Sequence, residues 1–312
     1  MDTGEEIMTY MLKPMAYVLI IALGFALKRI GFLKDQDRAA FSRVMLSVTL
    51  PCAIVQAFDG LSMDAHMLLI VAIGLFCAGM PILLMYATTR GQDKALRAYR
   101  MLNIGGYNIG CFSVPLLSAF FGSAGVVSAC LFDIGNAVIM TGGAYAMTST
   151  LLHTGGEGRE GAKEILMKFL RSVPFDTYML LLALGALGVT LPAPVFELTR
   201  PIGQANSFIA MLIIGMAFEP AADPALLREA GRELLIRYGL ATAFSLVIYF
   251  AMPFDLLTRQ VLVVVCFAPL SSLAPIYTER CHGDEALASF TNSASIAVSL
   301  ICMLGLSAMF MG

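Results

Sequence analysis

The sequence predicts an all-α polytopic membrane protein with ten transmembrane helices arranged as two inverted five-helix repeats. Only 13% of the 312 residues are charged and the mean hydropathy is +0.80, whereas a soluble domain carries about 25% charged residues. The apolar residues are collected in runs of about 20, the length at which a helix crosses a bilayer. One long polar, Gly-rich loop separates five such runs from five more.

Ten apolar runs define the predicted spans. In lipid each segment has to satisfy its own backbone hydrogen bonds, and these runs are too long for barrel strands, so each is expected to be a helix. The runs cover residues 14–30, 39–58, 65–89, 100–121, 124–152, 175–191, 201–218, 234–253, 258–278 and 285–311.

The positive charges predict the orientation of these spans. If the loops after the odd-numbered spans share one side, that side and its helix ends hold all but three of the 20 Lys and Arg. The exceptions are Lys13, Arg200 and Arg259. Because cytoplasmic loops are enriched in Lys and Arg, we expect the odd loops in the cytoplasm and both termini outside it. The expected location is the bacterial inner membrane.

The same alternation sets the domain organisation. Residues 1–152 form the first predicted repeat, 153–174 a cytoplasmic linker, and 175–312 the second repeat. Because five is an odd number, the second repeat enters the membrane from the opposite side to the first. Two similar halves would therefore be related as an inverted repeat, as in many secondary transporters.

Spans four and nine carry matching helix-breaking signals. Span four reads NIGGYNIGCFSVPLL (103–117) and span nine reads VCFAPLSSLAPIY (265–277). A shift of 160 residues places Pro115 on Pro275, and Pro269 lies close by. Paired broken helices mark the binding sites of transporters, and the N-termini of half-helices favour a carboxylate. The alternative is that these prolines kink the helices and only shape their packing.

Polar side chains inside the spans supply the candidate site. Asp133 is the only acid deep in an apolar run, and a lone carboxyl in the membrane is costly enough to be a functional candidate. We expect it to carry a coupling proton, with a Na⁺ ligand or a structural carboxyl as alternatives. The candidate substrate-binding residues are Asn103, Asn108, Ser113, Pro115, Asn136, Pro269, Ser271, Ser272, Pro275 and Asn292, and the candidate ion-coupling residues are Asp133, Ser293 and Ser295.

Other classes of function are poorly supported by the sequence. The net charge of −2 offers no basic surface for nucleic acid. The three His lie in or beside loops, and no catalytic or metal-binding motif is present, so we expect neither an enzyme nor a resident cofactor. The seven Cys lie mostly in apolar runs and are expected to serve packing. The expected partners are a small organic anion and the lipid bilayer, and a homodimer is left open.

Four segments resemble the auxin efflux carrier family, which includes the plant PIN proteins and bacterial carriers of dicarboxylates such as malate and malonate. They are LPCAIV (50–55), NIGGYNIGCFSVPLL (103–117), FDIGNAV (132–138) and TNSASIAVSL (291–300). The resemblance implies a ten-helix fold related to bile-acid sodium symporters, with a scaffold around a transport domain in which spans four and nine cross. The large central loop of the plant members is missing, so auxin is not the expected substrate.

The expected function is therefore secondary transport of a small organic anion, such as a carboxylate, by alternating access. Spans four, five, nine and ten would supply the site. The alternative from another class is a membrane sensor or receptor that kept the carrier fold. Such a protein is expected to carry a soluble signalling module, and none is evident in these 312 residues.

Overall fold

A computed structural model of the chain describes residues 3–58, 65–154, 173–217 and 224–311. Every regular element in these ranges is a helix, as the sequence predicts for an all-α protein. Most of the predicted linker, 155–172, lies outside the described residues. Five described helices are long and apolar enough to cross a membrane, namely Gln36–Ala57, His66–Thr88, Gly125–Leu152, Leu226–Ala251 and Glu285–Met311, and Ile109–Ser118, Val173–Ala186 and Leu256–Cys266 are shorter apolar helices.

The first half of the chain contains both regular helices and wider, π-helical turns. The π-helical turns lie within longer helical segments and join two α-helices or open one. The elements are α1 (Thr3–Arg29), α2 (Asp35–Val44), a π-helical turn (Met45–Thr49), α3 (Leu50–Ala57), α4 (Ala65–Thr88), α5 (Lys94–Ile104), a second π-helical turn (Ile109–Ser113), α6 (Val114–Val138), a third π-helical turn (Ile139–Gly143) and α7 (Ala144–Leu152).

The second half of the described chain begins after the linker. It contains α8 (Val173–Ala186), α9 (Ala193–Ala217), α10 (Pro224–Ala251), α11 (Leu256–Cys266), α12 (Ala274–Arg280) and α13 (Glu285–Met311).

Helix α6 is two helical arms joined at Gly122. Gly122 has φ 61° and ψ −158°, a conformation that a residue with a Cβ avoids. The arm before Gly122 belongs to the fourth predicted span, and the arm after it continues through the third π-helical turn into α7 as the fifth. The boundary predicted between residues 121 and 124 is therefore set by one glycine.

The helices pack into two bundles. The small bundle contains α1, α2–α3, α8 and α9, and the large bundle contains α4 to α7 and α10 to α13. Polar contacts tie α9 to its neighbours in the small bundle: Thr49 donates to Asn206 Oδ1 at 2.9 Å, and Gln56 Nε2 donates to Thr199 Oγ1 at 2.6 Å. Helix α6 also contacts the small bundle, at α1, α3, α8 and α9.

Glycines allow two helix pairs to approach closely. A Cβ at Gly24 or Gly215 would overlap a backbone carbonyl of the facing helix in the α1–α9 pair. The same is true of Gly74 and Gly135 in the α4–α6 pair. Because lipid gives apolar helices no hydrophobic reason to associate, close backbone contact of this kind is a main source of their packing energy.

Two helices, one in each half of the chain, begin in the same way. Helices α5 and α11 each contain 11 residues and each begins after an aspartate, Asp93 or Asp255. Both carboxylates cap their helix: Asp93 accepts from the N–H of Ala95 at 2.9 Å, and Asp255 accepts from the N–H of Thr258 at 3.0 Å. Each cap satisfies a backbone donor that has no partner inside the helix.

A second contact repeats at the same spacing. Arg97 and Arg259 each stand four residues after the capping aspartate. Arg97 donates to the carbonyl of Tyr86 at 3.2 Å, and Arg259 donates to the carbonyl of Tyr249 at 3.1 Å. Each pair joins the end of one helix, α4 or α10, to the start of the next.

The glycine contacts of the α4–α6 pair predict the effect of one methyl group. The Cβ of Gly135→Ala would overlap the Val71 carbonyl, so the helices would have to separate, at a cost of about 1–3 kcal/mol for overpacking. We expect the melting temperature of the purified protein in detergent to fall by several degrees. Gly239→Ala is the matched control because nothing lies within 4 Å of its Cβ position, and equal melting temperatures for the two variants would contradict the packing.

Candidate functional site

The fourth span is interrupted at residues 105–108, between α5 and the second π-helical turn. The sequence predicts the interruption close to Pro115, in a helix that Gly105, Gly106 and Gly110 weaken, and the break lies at the glycines: Pro115 itself lies within the helical segment that continues from Ile109 into α6. Glycines explain the true position. A Cβ at Gly105 would overlap the Ala78 carbonyl, and Gly106 has φ 72°. The chain leaves the helix where only glycine fits.

The ninth span is interrupted at residues 267–273, between α11 and α12. Pro269 lies inside this interruption, and Pro275 lies in the first turn of α12. Ser295 of α13 accepts from the N–H of Leu270 at 3.1 Å and so supplies a partner for the interrupted backbone. The interruption predicted in this span is present.

The two interruptions touch each other. The backbone N–H of Asn108 donates to the carbonyl of Pro269 at 2.9 Å. The Asn108 side chain donates to Ser272 Oγ at 3.3 Å. Two segments that are 161 residues apart in sequence are therefore joined by a backbone hydrogen bond at the crossing of the broken helices.

Asn136 holds the first interruption in place from α6. Its Oδ1 accepts from the N–H of Tyr107 at 2.9 Å, and its Nδ2 donates to the Tyr107 carbonyl at 2.8 Å. The same Nδ2 donates to Asp133 Oδ1 at 2.9 Å. Both hydrogens of this amide are thus used inside the protein, and Asn136 satisfies the backbone N–H and the carbonyl of Tyr107, which lies outside any helix.

Arg237 of α10 connects both interruptions. Its guanidinium donates to the carbonyls of Ile104 and Gly106 at 2.7 and 2.9 Å in the first interruption. It also donates to the Ala268 carbonyl at 3.0 Å in the second. The side chain is 3% exposed, and the guanidinium lies 4.9 Å from the centre of the Tyr107 ring. One buried cation therefore satisfies three carbonyls that the helix breaks leave open.

Further charges lie beside Arg237. Glu233, one turn earlier on α10, and Arg100 of α5 are both buried. Arg100 pairs with Glu229 at 3.2 Å. Alternating signs along this row reduce the cost of burying each charge.

A cavity of about 380 Å³ lies beside the crossing, between the two bundles. Among the candidate site residues it is lined by Asn108, Asp133, Asn136, Ser271 and Ser272. Asp133 is the one charged residue among its described lining residues. The rest of the wall is mostly apolar and includes Met45, Leu50, Phe112, Met140, Ile213 and Ile296.

All three π-helical turns of the described chain contribute to this wall. The first supplies Met45, the second supplies residues 109–112, and the third supplies Met140 and Thr141. Such turns are rare and frequently occur at functional sites, because the extra residue leaves backbone groups without their usual partners. The cavity is therefore lined by irregular backbone from three separate spans.

The other candidate site residues lie away from this cavity. Asn103 donates to the Tyr99 carbonyl and to Thr278 Oγ1, and Ser113 is fully buried against Met303. Ser293 donates to a carbonyl of its own helix. The residues that support the crossing or its surroundings without lining the small cavity are Asn103, Ser113, Pro115, Pro269, Pro275, Asn292, Ser293 and Ser295.

A second cavity of about 670 Å³ lies between the same bundles. It is lined by the C-terminal half of α3, at Ala53 and Gln56, whereas the small cavity is lined by α2 and its π-helical turn, at Ser42 and Met45. The two cavities therefore lie at opposite ends of the same helical segment. Pro115 lines the larger one.

The comparisons with known proteins identify the family of the chain. A family model described as membrane transport protein matches residues 10–307, nearly the whole chain. The chain belongs to this family. The match confirms the resemblance to the auxin efflux carriers.

One relative is an uncharacterized transporter of Methanothermobacter thermautotrophicus. It is 26% identical over 174 residues, which cover 53% of this chain. The matched region spans 56% of the relative's length.

Sequence reasoning missed the residues that hold the crossing together. Arg237 and Arg100 were assigned to loops and helix ends by the charge count, but both are buried. A signal was present for Arg237, because Glu233 stands four residues before it at the start of an apolar run. Tyr107, which lines the small cavity, carries no signal that separates it from a packing tyrosine, and Tyr178 carries only the short Tyr-to-Ala-Leu-Gly match with Tyr17.

The contacts of Arg237 predict a specific loss of stability. Arg237→Gln cannot reach three carbonyls at once, and each buried acceptor left without a donor costs about 1–3 kcal/mol. We expect a fall of several degrees in the melting temperature of the purified protein. Arg232→Gln is the control, because Arg232 is exposed on the same helix. A wild-type melting temperature for Arg237→Gln would show that the crossing does not depend on this side chain.

Proposed function

We propose that the protein is a secondary active transporter of a small organic anion, a carboxylate, that works by alternating access and is coupled to protons. The observation that carries the proposal is the small cavity at the crossing, in which amide and hydroxyl donors meet a single carboxyl group. Membership of a transporter family supports transport itself.

The donors around the cavity favour an anion. Asn108 Nδ2 has a hydrogen beyond the one directed at Ser272, and Ser271 and Ser272 add hydroxyl groups. The helical segment that begins at Ile109 presents backbone N–H groups without intrahelical partners. Behind Tyr107, the Arg237 guanidinium adds positive potential. Amides and hydroxyls can hold a carboxylate and still release it, because no full opposite charge is in contact with it.

Asp133 explains why such transport would be coupled. A carboxylate bound about 4 Å from an ionised Asp133 would be repelled by about 4 kcal/mol at an effective dielectric constant of about 20, roughly a thousandfold in affinity. A proton on Asp133 removes this repulsion. The anion and the proton would therefore load together, which is the requirement for symport. A Na⁺ ion beside Asp133 would act in the same way and is the alternative that the experiment has to separate.

Alternating access is supported by the two cavities. They lie at opposite ends of the α2–α3 segment and share no described lining residue. We infer that the ten spans form an inverted repeat in which the large bundle carries the crossing past the small bundle. The matching caps and Arg–Tyr contacts of α5 and α11 support the repeat, and the positive charges support an orientation in a bacterial inner membrane with both termini outside the cytoplasm.

The coupling role of Asp133 is tested in proteoliposomes. Binding measurements on purified wild-type protein with malonate, malate, succinate and benzoate first select the carboxylate. We expect Asp133→Asn to exchange this carboxylate across the membrane but to lose its accumulation driven by a pH gradient, because the variant has no proton to release. Accumulation by wild-type protein that follows a Na⁺ gradient instead would assign Na⁺ as the coupling ion.

Asp176→Asn is the matched control for this experiment, because Asp176 is exposed on α8 and lines neither cavity. It should accumulate substrate at the wild-type rate. If Asp133→Asn also does so, Asp133 is structural and the coupling group lies elsewhere.

The orientation is tested by cysteine labelling in intact cells, in a background that lacks the seven native Cys. Gly91→Cys, in the exposed loop after α4, is expected in the cytoplasm, and Thr190→Cys, in the exposed loop after α8, outside it. A membrane-impermeant maleimide should therefore label Thr190→Cys alone. Labelling of Gly91→Cys alone would reverse the orientation, and labelling of both would remove the alternation of spans on which it depends.

A further inference from the structure

The hydroxyl of Tyr178 on α8 is poorly satisfied within the described ranges. The residue is 2% exposed and lies on the wall of the small cavity. Its hydroxyl has no nitrogen or oxygen partner in those ranges and meets only the thiol of Cys130. A buried hydroxyl without a partner destabilises a protein, since it has given up water and gained nothing. A tyrosine kept in this position at such a cost points to a ligand that supplies the missing partner.

The groups near this hydroxyl cannot fill that role well. They are the Cys130 and Cys111 thiols and the Asp133 carboxyl, all on segments of the large bundle. Thiols are weak hydrogen-bond acceptors, and the hydroxyl makes no hydrogen bond to the Asp133 carboxyl. The poorly satisfied phenol thus comes from the small bundle, and the carboxyl that loads with the anion comes from the large bundle. A carboxylate in the cavity between them is a strong acceptor for the phenol.

A matching tyrosine lies in the other cavity. Tyr17 of α1 stands 161 residues before Tyr178, and in both places the chain continues with Ala-Leu-Gly at the sixth to eighth positions. Tyr17 lines the larger cavity together with Pro115 and Ser118. The first helix of each half of the chain therefore presents one tyrosine to one cavity, and the two cavities lie at opposite ends of the segment α2–α3.

We propose that the hydroxyl of Tyr178 donates a hydrogen bond to the transported carboxylate and completes the site from the small bundle, and that Tyr17 does the same in the state opened to the opposite side. This inference rests on the proposed function. Both bundles then contribute to the site. The large bundle supplies the Asn108 amide, the Ser271 and Ser272 hydroxyls and Asp133, and the small bundle supplies one phenol for each side of the membrane. Movement of one bundle past the other breaks the contact with one tyrosine and brings the anion towards the second.

The test compares three Tyr→Phe variants without added carboxylate. Tyr178→Phe should keep or raise the wild-type melting temperature, because it removes a hydroxyl that has no nitrogen or oxygen partner. Tyr99→Phe should lower it, because the Tyr99 hydroxyl is buried and bonded to Thr291 Oγ1 at 2.8 Å. Tyr249→Phe, which lines neither cavity, is the neutral control. A loss of stability in Tyr178→Phe equal to that in Tyr99→Phe would overturn the proposal, since the hydroxyl would then be a structural one.

Binding and transport supply the second readout, with malonate, malate, succinate and benzoate as probes. Tyr178→Phe should weaken binding by about tenfold or more, the effect of one hydrogen bond to a charged group. In intact cells and inverted membrane vesicles, Tyr178→Phe should raise the half-saturating concentration on the side to which the small cavity opens, and Tyr17→Phe on the other side. Wild-type values for Tyr178→Phe, with binding lost in Asn108→Ala, would overturn the role of Tyr178 and leave the proposed function standing. If the wild-type protein binds none of the four carboxylates, both fail.

Discussion

The structure depends on satisfying backbone groups where two helices stop inside an apolar protein. Each interruption exposes carbonyls and N–H groups that have no helical partner, and no lipid can bond to them. Arg237 satisfies three of the carbonyls, Asn136 satisfies the N–H and the carbonyl of Tyr107, and Ser295 accepts from one N–H. A backbone hydrogen bond from the N–H of Asn108 to the carbonyl of Pro269 joins the two interruptions directly.

These hydrogen bonds decide which polar groups remain available to a ligand. Asn136 looks like a binding residue in sequence, but its amide is used by Tyr107 and Asp133. Asn108 bonds through its backbone, so its side chain stays directed at Ser272 and the cavity. The Asn136 amide also orients Asp133 by donating to one of its carboxyl oxygens. The other oxygen therefore stays available for a proton or an ion. One short segment of α6, residues 133–136, therefore both supports the first interruption and supplies the carboxyl group of the cavity.

Much of this architecture could be predicted from the sequence, because lipid leaves few choices. Apolar length identifies helices, and the glycines and prolines of spans four and nine identify the interruptions. The first interruption lies at the glycines of span four and not at Pro115, since the requirement for glycine at Gly105 and Gly106 arises from the neighbouring Ala78 carbonyl and Met140 side chain. The sequence predicts a loop or helix end for Arg237, because an arginine near the end of an apolar run normally reaches the interface. Only tertiary contacts reveal that this arginine turns inward to three carbonyls on two distant segments.

The π-helical turns connect the fold with its proposed motion. A π-helical turn contains one residue more than the regular helix needs, so a helix can shift its register there without breaking. The turn at Met45–Thr49 lies in the small bundle and lines the small cavity through Met45, and those at Ile109–Ser113 and Ile139–Gly143 line the same cavity from the large bundle. Thr49 within the first turn bonds to Asn206 of α9, which keeps that part of the small bundle fixed. The π-helical turns of the large bundle are thus adjacent to the polar residues of the small cavity. A small displacement of the crossing along α2–α3 would close one cavity and open the other without separating Arg237 from the carbonyls that it holds.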